Sequence, residues 1–121
     1  MQPPNIPNGY NQVMPHLIVE NAAGFIQFME RVFNAKLRMK HMRSETIIMH
    51  AELQIGESVI MLADSTAQYP PRPAGMFIYV DDADARHAQA LAAGATSVSP
   101  VATKGTAAAA GCKTPTEIPG G

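Results

Sequence analysis

A strand, a cap, an amphipathic helix and a stop occur twice in this chain, and no other feature narrows its fold as much. Placing Val80 on Val19 lines up, in order, a short apolar run, an amide or acidic cap (Asn21, Asp82), a helical stretch, a stop (Asn34, Gly94) and a following alanine. A repeat of this length is one supersecondary unit used twice, because one unit cannot cover its own apolar face.

In the first copy, residues 13–19 (VMPHLIV) read as a strand, with Pro15 placing it at a sheet edge or a bulge. Asn21 is the cap of a helix over residues 22–33, where Phe25, Phe28, Met29, Val32 and Phe33 recur at helical spacing. Asn34 suits a left-handed C-terminal residue, and residues 35–42 (AKLRMKHM) return as a strand. Residues 46–55 and 58–62 then flank Gly56-Glu57, a pair suited to a type II′ hairpin turn.

Residues 67–75, ending in QYPPRPAG, hold too many prolines for a regular element and read as a linker. In the second copy, residues 76–80 read as a strand and residues 83–93 as a helix capped by Asp82 and stopped at Gly94, with residues 95–98 as the next strand. Asp81, Asp82 and Asp84 lie where acidic side chains favour a helix N-terminus, so they are read as caps and not as a carboxylate site.

The composition excludes several classes of function. A chain of 121 residues with 46% hydrophobic content buries one core. Nine Lys plus Arg against ten Asp plus Glu form no basic stripe for nucleic acid or anionic lipid, and no apolar run is long enough to cross a membrane. The start MQPPNIPNGY has neither the basic nor the apolar part of a secretory signal, so a cytoplasmic location is expected. One cysteine, Cys112, cannot form an intramolecular disulfide or a thiolate cluster, and any metal would fall to His, Asp or Glu. The expected partner is a small molecule or another subunit.

Three strings, GYNQVMPHLIVENAAGFIQFMERVFNA, IMHAELQIGESVIMLADS and PAGMFIYVDDADARHAQALAAGATSVSPVA, resemble the vicinal oxygen chelate (glyoxalase, bleomycin resistance and dioxygenase) superfamily, in its PhnB-like branch. The resemblance implies an α+β fold of tandem βαβββ modules around a small-molecule cavity, with module one at about residues 10–66 and module two at 76–102, and it implies a homodimer. The superfamily holds lyases, isomerases, dioxygenases and metal-free binding proteins, so the site has to choose among them. The ligand positions of the reference glyoxalase lyase fall on Met14, Gly75 and Met61, none of which holds a zinc, nickel or iron ion, so no metal cofactor is expected.

Register alone singles out another cluster. With Gly56-Glu57 as the turn, Glu52 pairs with Met61 and His50 with Ala63, and the resemblance puts Met61 on the cavity face. His50, Glu52 and His16 then share one cup, with Met14, Met61, Ala63 and Met76 as apolar lining. One reading is a wall of hydrogen-bonded polar residues in a binding cavity. The other is catalytic, with His50 as a general base oriented by Glu52, or with His16, His50 and Glu52 as a two-histidine, one-carboxylate site for a divalent metal. His41 and His87 read as surface positions.

Residues 101–121 (VATKGTAAAAGCKTPTEIPGG) carry no strand pattern, so module two is expected to be incomplete after about residue 101, with residues 103–121 a non-native or disordered tail. Family members usually continue with a string like D-Q-x-Y-G-R-S-G-G-V-x-D-P-x-G-N-x-W. Joining the last base of each codon to the first two of the next, from Ala102 onward, permits DQGYGRSGGVQDPYGNTWW. This favours a frameshift near Ala102, and an inactive remnant is then a third functional reading beside binder and enzyme. Sequencing the coding DNA decides it: the codons from Thr103 onward are expected to spell that string one base back, and any other spelling ends the hypothesis.

Overall fold

The computed structural model describes residues 4–72, 74–104 and 107–113, with side chains described as far as Ala95. The order of elements is β1 (His16–Val19), α1 (Ala22–Phe33), β2 (Lys36–Met42), β3 (Ile48–Ile55), β4 (Ser58–Asp64), α2 (Ala83–Ala92), β5 (Thr96–Lys104) and β6 (Ala107–Lys113). This is an α+β chain that divides into two compact units. One comprises Met1–Ala22 and Ala35–Ala74, the other Ala23–Asn34 and Gly75–Gly121.

The first unit is a four-stranded mixed sheet in the order β1-β4-β3-β2, with β1 parallel to β4 and the other pairs antiparallel. The β3–β4 hairpin forms as its sequence requires: Gly56 has φ 60, the value a type II′ turn needs at its first central position, and Ile55 pairs with Ser58. β1 is an edge strand, as Pro15 demands. The proline lacks an N–H, but its carbonyl accepts the Met61 N–H at 2.9 Å just before the strand begins at His16.

Alternation along the strands separates two faces. Leu17, Ala51, Leu53, Ile60 and Leu62 share one and are buried, with Ala51, Leu53 and Leu62 fully inaccessible. His16, Ile18, Glu52, Met61 and Ala63 share the other. At about 25 cal/mol per Å² of apolar surface removed from water, the aliphatic face supplies the main drive for this register, since a one-residue slip would exchange the faces.

In the second unit, α1 buries Phe25, Ile26, Phe28, Met29 and Val32 and exposes Gln27, Glu30 and Arg31, as the periodicity predicts. Asn34 takes φ 55 and ends it. In α2, Asp82 is an extended N-cap whose side chain accepts from the Ala85 N–H at 3.0 Å, and Gly94 at φ 104 follows the end. The Arg86 guanidinium reaches the Val32 carbonyl at 3.4 Å, tying α2 to α1.

Several expectations need correction. Residues 76–80 are not a strand; Phe77 and Tyr79 are 78% and 88% exposed, and no described strand pairs with them. Apolar β-formers alone do not make a strand, because the backbone needs a partner for its N–H and C=O groups. A strand does form after residue 101. β5 runs to Lys104 and pairs antiparallel with β6, from Thr96 opposite Lys113 to Lys104 opposite Ala107. Ladder hydrogen bonds belong to the backbone, so an alanine run can supply them without a propensity signal. Residues 105–106 and 114–121 of the expected tail lie outside the described residues. Module two is nonetheless incomplete: among the described residues, two strands stand where the repeat unit needs four. His87, read as a surface residue, is half-buried.

Asp64, at the end of β4, joins three elements. Its Oδ1 accepts the Ala22 N–H at the start of α1, and its Oδ2 accepts the Ile48 N–H at the start of β3, each at 2.7 Å. Replacing Asp64 with Ala removes two charge-assisted bonds and is expected to cost about 2 to 4 kcal/mol in a urea melt. A loss within experimental error of zero would show that water replaces both bonds.

Candidate functional site

The polar face of the first unit's sheet is built by strand register. His16 on β1 lies opposite Met61 on β4, and Met61 lies opposite Glu52 on β3, so the three form one row across the sheet. His50 is two residues before Glu52 and therefore projects from the same face. A carboxylate in this row is expensive unless bonded, and Glu52 is only 3% exposed.

Both of its oxygens are satisfied. The Tyr10 hydroxyl donates to Oε1, and His50 Nε2 stands 2.9 Å from Oε2. An ionised carboxylate only accepts, so His50 carries its proton on Nε2, and a neutral ring then leaves Nδ1 as its acceptor. Burial by itself raises the Glu52 pKa; the bonds from Tyr10 and His50, with the charges of His50 and Arg38, outweigh it and hold the group below the ordinary glutamate value. Tyr10 moves the other way. Its bond to Glu52, then burial and the Glu52 charge, keep the hydroxyl above its ordinary value against the opposing Arg38 charge.

Tyr10 is positioned from two sides. Its N–H donates to the Pro7 carbonyl at 3.0 Å, closing a turn, and the Arg38 guanidinium lies 5.0 Å from its ring centroid. Arg38 reaches that place because it is the extra residue of a bulge: Leu37 pairs with Leu53 and Met39 with Glu52, leaving Arg38 without an opposite number. Gly9, at φ 86, completes the arrangement, since a Cβ there would stand 3.2 Å from Arg38 Nη1.

The His50 ring stacks on His16, with centroids 5.9 Å apart and planes at 17°. Beside His16 opens a cleft of about 210 Å³, walled by Ile18, Ile48, Met49 and Ala63 and rimmed by Arg43, Asp64, Thr66 and Tyr69.

The three residues singled out for chemistry, His16, His50 and Glu52, are thus brought together. Among the residues read as lining, Ala63 is in the cleft wall, Met61 is half-buried between His16 and Glu52, and Met14 is half-buried just before β1. Met76 belongs to the second unit and is 39% exposed. The sequence reading missed Tyr10, Arg38, Arg43, Asp64 and Tyr69. A tyrosine in a Pro-rich leader and an arginine in an alternating strand carry no local signal of a shared partner. Among the described residues, no group of three or more His, Cys, Asp or Glu side chains is arranged to hold a metal ion.

A family model for the Glyoxalase/Bleomycin resistance protein/Dioxygenase superfamily matches residues 9–119, and the chain belongs to this superfamily. Similar solved structures include TioX from Micromonospora sp. ML1, at 24% identity and a TM-score of 0.58 over 79% of this chain and 80% of that one. A gene product from Arabidopsis thaliana matches at 21% identity and a TM-score of 0.59 over 75% and 79%. The PhnB protein from Bacillus cereus matches at 15% identity and 0.61 over 78% and 83%. At these identities the likeness is one of fold. A search of curated protein sequences finds no match.

Because the Glu52 pKa is lowered by folding, its contribution to stability is complete above the ordinary carboxylate range and is lost as pH falls through the folded value. Thermal melts from about pH 7 to about pH 3 should therefore show destabilisation setting in below about pH 4. In Tyr10→Phe, with the largest of the lowering influences gone, the folded pKa moves back toward the ordinary value and the acid-induced loss should shrink or vanish. Superimposable profiles for the two proteins would refute the assignment.

Proposed function

We propose that this chain binds a small organic molecule in the cleft beside His16, without a metal ion. The observation that carries the reading is the cleft itself: about 210 Å³ of space on the polar face of the sheet, with aliphatic walls and a polar rim, the usual make-up of a small-molecule site. A divalent ion does not suit the donor set. Met14, Met61 and Gly75 stand where the superfamily's reference ligands belong, and both Glu52 oxygens and His50 Nε2 are already spent on one another and on Tyr10.

The His50–Glu52 contact favours a second reading, catalysis. A buried carboxylate holding Nε2–H fixes the ring and makes Nδ1 the basic atom, the arrangement a general base requires.

A fragment library screened against the full chain by ligand-observed NMR tests the first reading. Hits are expected that shift the methyl signals of Ile18, Ile48 and Met49, survive a chelator and weaken on His16→Ala. An empty screen, or binding abolished by the chelator, counts against it. Turnover of a bound compound that disappears in His50→Ala would move the assignment to the second reading.

A further inference from the structure

Resting on the cleft as the binding site, we infer that its ligand is a small organic anion, a one-ring carboxylic acid or similar oxyanion, with its charge on Arg43 and its planar body against His16. Donors outnumber free acceptors in the cleft. Arg43 carries a permanent charge at the rim, and among the described residues no carboxylate lies within ion-pair distance of it. Asp64 is the acid of the cleft lining, and each of its oxygens already accepts a backbone N–H at 2.7 Å. Those amides hold the Asp64 carboxylate in place, and it forms no ion pair with Arg43.

The remaining polar groups also favour an acceptor. Thr66 Oγ1 accepts the Tyr69 N–H at 3.0 Å, which leaves its hydroxyl hydrogen to donate. The Tyr69 hydroxyl is a further donor on a side chain that lines the cleft and is 60% exposed. A neutral ligand would leave the guanidinium with water alone, whereas an oxyanion takes the planar fork in a bidentate geometry. Arg43 is also held at its base. Its N–H donates to the Ile47 carbonyl at 2.8 Å, and the Ser44 hydroxyl accepts from the Thr46 and Ile47 amides at 3.3 and 3.2 Å, bracing the short connection between β2 and β3.

Shape points to a flat molecule of limited size. The His16 ring is exposed and already stacked on His50, so an aromatic acid would extend the stack while its edge meets the aliphatic wall. The cleft volume falls below the roughly 300 Å³ at which drug-sized pockets begin, which suits a compact ligand.

Benzoate and its neutral isostere benzamide are the probes. NMR titration of the full chain at low salt is expected to give benzoate at least about tenfold the affinity of benzamide, the scale of one charge-assisted contact. Arg43→Gln should erase that ratio by weakening benzoate alone, Arg43→Lys should keep part of it, and added salt should weaken benzoate selectively. Arg43 is exposed, so these variants should fold, and unchanged amide spectra outside the β2–β3 connection check this. Equal affinities in the unaltered protein, or an Arg43→Gln variant that binds benzoate normally, overturn the anion assignment and leave the cleft reading standing. Failure of both probes to bind also overturns it, and an empty fragment screen would then remove the cleft reading too.

Discussion

The carboxylate of Asp64 is the point through which the first unit is assembled. It closes β4, receives the first amide of α1 and receives the first amide of β3, two groups that would otherwise need water. Once those three ends are held, β1 has a defined place beside β4 and the parallel pairing from His16–Met61 to Val19–Asp64 can form. The site follows from that pairing, because it places His16 in line with Met61 and Glu52. One charged side chain thus positions a set of residues it does not touch.

Glu52 plays the matching part on the polar face. A buried carboxylate without partners would be strongly destabilising, so Tyr10 and His50 both satisfy the group and are ordered by it. The consequence is a specific division of labour. His50 is fixed in one tautomer, Tyr10 pins the leader over the sheet edge through Arg38, and His16 is left exposed beside the cleft with its ring against His50. The face thereby has a polar half bonded within itself and an open half at the cleft.

Much of this was readable beforehand where local rules decide. Glu52 opposite Met61 follows from the Gly56-Glu57 turn, since a two-residue hairpin leaves one register. The bounds of α1, the left-handed Asn34 and the Asp82 cap follow from helix periodicity and terminal chemistry. Tyr10 was not readable, because its partner lies 42 residues away and no spacing rule connects a leader to the middle of β3. Arg38 was hidden for a different reason: alternation assigns each residue to a face, and a bulge breaks alternation.

The errors in the second copy have the same origin. Residues 76–80 carry strand-forming side chains but no described pairing partner, whereas β6 has almost none of that propensity and pairs with β5 all the same. By itself, the sequence determined the first helix, the hairpin and the sharing of one sheet face by His50 and Glu52, since all of these depend on neighbours a few residues apart. Only the tertiary structure decided which side chains satisfy the buried Glu52 carboxylate, where the cleft opens and which late segment becomes a strand. Those outcomes depend on backbone and charge partners that meet only when distant parts of the chain are folded together.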